Sequence, residues 1–290
     1  MDVSKVALSS FLGGLNLSGE RMKAARLKGP RDIVLEEIPV PEISDDEVLV
    51  EVKYCGICGT DLHAFQAPGF LPVGTFLGHE FSGVLAKVGN KVEGWKPGDR
   101  VVVVPAYSCG ECYACKHGFP EICERTMESI GCFTDEGMPG GFTKFVRVPI
   151  PQRRLYSLPE EVSFEEGALV EPLATSLHAV RISAFSPGDQ AMVLGAGAIG
   201  LGVISFLKNA GAGLIIATEV NAKRAELANK LGADHVFNPQ KVSNLQEEVL
   251  RITNGLGVNQ VFDCSGVPRL FKMQSLFSDP EAKLCLLGLF

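Results

Sequence analysis

The sequence predicts an α/β protein in two parts: a β-rich N-terminal domain of short strands, followed by a doubly wound parallel sheet. Three observations predict it. Up to about residue 171, short apolar runs are broken by Pro, Gly and Asp turns. Beyond it, strand-like runs alternate with helix-like runs, the pattern of βαβ units. A glycine-rich turn joins the first of those strands to its helix. The expected divisions are a flexible extension over 1–21, a first domain over 22–174 and a second over 175–290.

In chain order, Ser, Gly and Asn interrupt residues 1–21, and Met22-Lys23-Ala24-Ala25 reads like a second start. Strands are expected at 33–37, 47–54, 81–87, 100–104 and 143–148, each bounded by turn residues. Helix is expected over 172–182 and a turn at Ser186-Pro187-Gly188-Asp189. Strands at 191–194, 214–218, 236–237, 260–263 and 283–288 then alternate with helices at 199–210, 222–231, 244–253 and 268–277. Gly232 stands where a helix C-cap needs a left-handed residue.

Composition narrows the function classes. Hydrophobic residues make up 46% of 290 and charged residues 21%, the balance of a globule long enough for two domains. No apolar run reaches the ~20 residues of a membrane span. A net charge of −7 disfavours sequence-independent nucleic-acid binding. The N-terminus lacks the apolar core of a secretory leader. Nine cysteines, an odd count without a leader, point to reduced thiols, metal binding and a cytoplasmic setting.

Gly195-Ala196-Gly197-Ala198-Ile199-Gly200 is a GxGxxG run between an apolar strand and a helix. The first glycine makes the tight turn, the second lets a pyrophosphate approach the backbone, and the third packs helix on strand. The phosphates then meet the exposed N–H groups of a helix N-terminus, where Ala198 and Ile199 begin the helix. Glu219 closes the second strand. A carboxylate there accepts from a ribose 2′-OH and repels a 2′-phosphate, which favours NAD over NADP. Arg224 is a candidate to pack over the adenine or to meet a 2′-phosphate, and Glu219 opposes the second role.

Cys109, Cys112, Cys115 and Cys123 form C-x2-C-x2-C-x7-C. Four thiolates so spaced close a tetrahedral shell around Zn²⁺, a structural site with no open position. Disulfides and an iron–sulfur cluster are the alternatives, the first needing an oxidising compartment. A second cluster offers Cys58, His63, His79 and Glu80, flanked by Gly56, Gly59 and Gly78. Cys58 and His79 suit zinc, and two or three protein ligands leave the open position of a catalytic metal. A hydrogen-bonded core histidine and a buried ion-pair carboxylate are the bland readings of His79 and Glu80.

These motifs together resemble the zinc-dependent medium-chain alcohol dehydrogenases. The resemblance rests on Cys58-Gly-Thr60-Asp-Leu-His63, on Gly78-His79-Glu80-x-x-Gly83-x5-Gly89-x-x-Val92, on the four-cysteine lobe and on the GAGAIG loop with Glu219. It covers 22–290. It implies a GroES-like catalytic domain, a Rossmann domain and an active site in the cleft between them. It also implies one catalytic zinc, one structural zinc and NAD. Glu171-Pro172-Leu173 resembles the polyol, butanediol and threonine dehydrogenase branch, where a glutamate stands near the catalytic zinc. On this resemblance Thr60 passes the alcohol proton outward and His63 is the relay base toward solvent. Zinc makes a bound hydroxyl acidic near neutral pH, and the nicotinamide takes the hydride. Either Glu80 or Glu171 serves as the inner carboxylate; the residues alone allow both.

Residues 64–78 hold no charged side chain but carry Phe65, Phe70, Leu71 and Phe76. Such a wall suits a neutral secondary alcohol, vicinal diol or short polyol ahead of threonine or a sugar phosphate, which would want an Arg or Lys clamp. The alternatives are threonine 3-dehydrogenase-like activity, a non-catalytic NAD-binding zinc protein and, most distantly, a zinc-free quinone reductase. Family members run further than Phe290, so the expectation is a fragment, or a sheet edge covered by a partner chain. The expected partners are a small-molecule alcohol and further copies of the chain as dimer or tetramer, with no nucleic acid and no membrane.

Overall fold

The computed structural model describes residues 17, 19–106, 108–126, 129–132, 138–267 and 278–287. The chain divides into two compact units, Met1–Glu171 and Pro172–Phe290.

In the first unit, β1 (Arg21–Gly29) and β2 (Asp32–Pro39) form an antiparallel hairpin. The sequence pattern does not announce β1, whose Ala, Lys and Arg favour helix. Burial of Met22, Ala24, Ala25 and Leu27, with β2 as hydrogen-bonding partner, overrides that preference. Leu17, inside the stretch expected to lie outside the fold, is buried beside Met22 and Val40, and Glu20 accepts from the Val40 N–H. Leu17, Glu20 and Arg21, all within the expected extension, therefore belong to the fold; residues 1–16 and 18 lie outside the described ones.

A five-stranded antiparallel sheet follows: β3 (Glu47–Gly56), β4 (Glu80–Val88), β5 (Arg100–Val103), β6 (Phe145–Pro149) and β7 (Leu155–Ser157), in the order β6-β3-β4-β5-β7. Val48 and Val50 pack with Phe81, Leu85, Val101 and Val146, whereas Leu49, between them, packs with Met22, Ala86 and Phe145. Both faces are therefore covered at the middle of β3. Each large side chain so buried contributes roughly 1.5–3 kcal/mol. The expected strands appear with ends moved by at most two residues; the short β7 is the addition. The register pairs Gly56, the end of β3, with Glu80, the start of β4. Chain leaving β3 thus runs beside chain entering β4.

In the second unit, β8 (Gln190–Leu194), β9 (Leu214–Thr218), β10 (His235–Phe237), β11 (Val258–Asp263) and β12 (Ser278–Leu286) form a parallel sheet in the order β10-β9-β8-β11-β12. Along β8 the side chains alternate. Ala191 and Val193 pack with Val203, Ile204 and Leu207 of α6 (Ala198–Asn209). Met192 and Leu194 pack with Leu245 and Val249 of α8 (Leu245–Ile252). Helices on both faces make this the doubly wound architecture, with the strand order reversing between β8 and β11. α7 (Ala222–Leu231) starts on Asn221, which accepts from the N–H groups of Lys223 and Arg224, and ends on Gly232 at φ 119°. The helix expected at 268–277 lies outside the described residues, and β12 begins five residues earlier than the expected strand at 283. Among the described residues, no helix is long and apolar enough to cross a membrane.

Candidate functional site

The four-cysteine lobe builds its site from local backbone. Cys109, Cys112, Cys115 and Cys123 bring their sulfurs within 4.8 Å of one another, and all are free thiols. The Cys109–Cys115 and Cys112–Cys123 sulfur pairs are 3.9 Å apart. A tetrahedron with metal–sulfur bonds of about 2.3 Å has edges of about 3.8 Å. The N–H groups of Glu111 and Cys112 donate to Cys109 Sγ at 3.5 and 3.3 Å, and those of Cys109 and Arg125 donate to Cys123 Sγ at 3.3 Å. Such donors favour thiolate over thiol. The N–H groups of Cys115 and Glu124 hold the Cys112 thiol down, at about 6. The donor set, the spacing and the converging N–H groups fit a closed zinc site.

The second cluster is assembled from distant segments. Cys58 caps α1 (Gly59–Gln66) just after β3, while His79 and Glu80 stand where β4 begins. Their ligand atoms lie within 4.8 Å of one another. His79 and Glu80 are buried and Cys58 is half-buried. Burial pushes the Cys58 thiol up to about 11, against hydrogen bonds from the Thr60 N–H and hydroxyl. Burial likewise raises the Glu80 carboxyl, opposed by His79 and by a hydrogen bond with Cys58. For His79, burial works downward, yet contact with the Cys132 thiol and the charges of Asp61 and Glu171 lift it to about 9. His79 Nδ1 is buried without a hydrogen-bond partner, 3.9 Å from Asp61 Oδ1. An unpaired buried nitrogen beside a thiol and a carboxylate fits a site completed by a metal ion.

Two residues here escaped the sequence reading. Asp61 is 3% exposed; its carboxylate accepts from the N–H groups of Cys58 at 2.9 Å and Gly78 at 3.3 Å, tying together both halves of the cluster. Its position three residues after Cys58, where a capping carboxylate stands, was the available signal. Cys132 left none, because only the fold carries it to His79.

The peptide before His79 is held by glycines. Gly78 has φ 93°, and its carbonyl accepts from the Gly141 N–H at 2.6 Å. Gly131, at φ 73°, lies so close that a Cβ there would overlap the Gly78 carbonyl oxygen.

Thr60 sits in the first turn of α1 against Cys58, and His63, one turn further, is exposed with its ring 5.4 Å from that of Phe70. Glu171, half-buried, lies outside the Cys58–His79–Glu80 set but within reach of its charges: burial raises its carboxyl, His79 lowers it and Glu80 raises it. The segment 64–78 is partly core. Leu71 and Phe76 are buried, Leu71 with Leu27 and Leu77, and Arg26 stands 4.8 Å over the Phe76 ring. Only Phe65 and Phe70 remain half-buried, which narrows the apolar wall the sequence suggested.

In the second unit, a cavity of 220 Å³ is lined by Gly195, Gly197, Thr218, Glu219, Arg224 and Ser265, among others. It lies at the C-terminal ends of β8, β9 and β11. Gly195 turns at φ 88°; a Cβ on Gly197 would meet open space; one on Gly200 would overlap the Gly195 carbonyl oxygen. Ala198 and Ile199 open α6. Glu219 follows β9 and is buried; its carboxylate accepts from the N–H groups of Ala196 at 3.0 Å and Asn221 at 2.8 Å, and pairs with Arg224 at 2.9 Å. Burial would raise this carboxyl, but those donors and Arg224 hold it below the usual range.

Two family models match. Residues 44–160 match the alcohol dehydrogenase GroES-like domain and 198–290 the zinc-binding dehydrogenase model. Sorbitol dehydrogenase of Bacillus subtilis (strain 168) is 35% identical over 93% of this chain and 76% of its own length. The crystal structure of 2R,3R-butanediol dehydrogenase from Bacillus subtilis superposes with a TM-score of 0.80 at 38% identity, over 92% of this chain and 77% of that one. A Sinorhizobium meliloti 1021 protein solved bound to NADP gives a TM-score of 0.82 at 31% identity, over 93% of this chain and 78% of that one.

Proposed function

The chain belongs to the zinc-dependent medium-chain alcohol dehydrogenases, in their polyol branch, and from that premise we propose that it moves a hydride between a neutral secondary alcohol, vicinal diol or short polyol and NAD. The observation that carries this reading is the convergence of half-buried Cys58 with buried His79 and Glu80.

Cys58, His79 and Glu80 would hold the catalytic zinc, which supplies Lewis acidity to a substrate hydroxyl. Asp61 fixes the two halves of that ligand set through the backbone of Cys58 and Gly78. Thr60, hydrogen-bonded to the Cys58 sulfur, would exchange a proton with the substrate hydroxyl, and exposed His63 would exchange one with solvent. Glu171 adds an acceptor for a second hydroxyl, the feature that favours diols and polyols. Cys109, Cys112, Cys115 and Cys123 would hold the structural zinc.

Glu219 favours NAD as the cofactor. The Sinorhizobium protein was solved with NADP, but in this chain a buried, ionised carboxylate stands at the cavity wall, with Arg224 already paired to it. A 2′-phosphate would meet that negative charge. Homologous sorbitol and butanediol dehydrogenases support the substrate class.

The test is NAD and NADP reduction across 2,3-butanediol, sorbitol, simple secondary alcohols, threonine and a sugar phosphate. The proposal expects the neutral diol or polyol to lead with NAD. A tenfold or greater preference in kcat/KM for threonine or the phosphate, roughly 1.4 kcal/mol of transition-state binding, overturns the substrate ranking.

A further inference from the structure

Gly56 ends β3 and stands opposite Glu80, the first residue of β4. Paired residues on neighbouring strands share one face, so whatever stands at 56 competes for space with the Glu80 side chain. A methyl group on Gly56 would overlap Glu80 Oε2, and would lie 3.2 Å from its Cβ and 3.4 Å from its Cδ. The backbone does not demand glycine here, because Gly56 is not among the glycines at positive φ. Gly59, on the other side of Cys58, also lacks positive φ, and a Cβ there would meet nothing within 4 Å. The two glycines flank the same ligand, yet only one of them faces a carboxylate.

We propose that Gly56 is a positioning residue for the metal centre: the slot left by its missing side chain holds the Glu80 carboxylate beside Cys58 and His79, and so sets its distance from a metal bound there. The inference rests on the reading of Cys58, His79 and Glu80 as one metal centre. The strand backbone is fixed by the neighbouring pairs Cys55–Phe81 and Tyr54–Ser82, so a Cβ at 56 displaces the flexible end of Glu80 and leaves the sheet in place. Glu80 is buried and bonded to the Cys58 thiol, so that displacement falls on the ligand set.

The experiment uses the full chain with cobalt replacing zinc, since cobalt visible bands report ligand number and geometry. The constant contribution of the four-thiolate lobe is subtracted with the Cys58→Ser protein. Gly56→Ala should shift the remaining band, speed metal release to a chelator and lower kcat/KM by about 10- to 100-fold, the range for groups that orient a metal ligand. Gly59→Ala should move none of these. In a Glu80→Ala background, adding Gly56→Ala should change nothing further, because no carboxylate is left to displace. A folded Gly56→Ala protein with an unchanged band overturns the proposal, as does an equal change in both backgrounds. If Gly56→Ala alone does not fold, the double variant must fold and match Glu80→Ala; its failure to fold also overturns the proposal. Absence of any cobalt band beyond the lobe's in the unsubstituted protein overturns the metal-centre reading, and the proposal with it.

Discussion

The two cysteine-containing clusters reach similar chemistry by opposite routes. The lobe draws all four sulfurs from residues 109–123, and the N–H groups that steady them come from that stretch and the two residues after it. The Cys58–His79–Glu80 cluster joins segments 21 positions apart through a strand register, a buried aspartate and a glycine contact from Gly131. A site made of its own local backbone stands or falls with its ligands. A site made by tertiary packing can lose a ligand and keep its fold, and can equally be detuned from a distance.

That contrast is open to direct attack. Cys112→Ser should remove the lobe's clip and drive the chain to unfold or aggregate, because structural zinc contributes folding free energy outright. Cys58→Ser should instead abolish turnover while circular dichroism and solubility stay as they were. Equal loss of solubility in both would erase the distinction. Asp61→Asn should weaken retention of the catalytic metal by about 10- to 100-fold and leave the lobe's metal untouched, read by chelator competition at each site. Loss at both sites would mean that the clusters are not independent.

Gly131→Ala should cost about 1–3 kcal/mol in denaturant unfolding, because its Cβ would press on the carbonyl before His79. It should also lower kcat, whereas alanine at Gly94, which has a positive φ but open space around it, should cost stability with no change in kcat. The smallest effect concerns the second unit. Glu219→Ala should raise KM for NAD and narrow the preference over NADP, a change confined to cofactor binding. An unchanged ratio of the two KM values would sink the role given to Glu219.

The same contrast explains what could be read from the sequence. The lobe is legible because ligand spacing within one loop is itself the geometry. The GAGAIG turn is legible because each glycine answers a local demand: φ at Gly195, open space at Gly197, close approach to the Gly195 carbonyl at Gly200. The parallel strands are legible as apolar runs buried on both faces. β1 is not, because Arg21–Gly29 becomes strand only through β2 and through the burial of Met22 and Leu27. Cys132 beside His79, and Gly56 opposite Glu80, depend on register and on a return of the chain that no local pattern encodes. Leu71 and Phe76 looked like pocket wall and became core, because apolar composition alone does not say which side of a segment faces inward.

The most direct test of this account is metal content per chain after exhaustive dialysis, in the unsubstituted protein and in Cys58→Ser. The account predicts about two zinc equivalents in the first and about one in the second, with the fold retained in both. One equivalent in the unsubstituted protein, unchanged by Cys58→Ser, would contradict it.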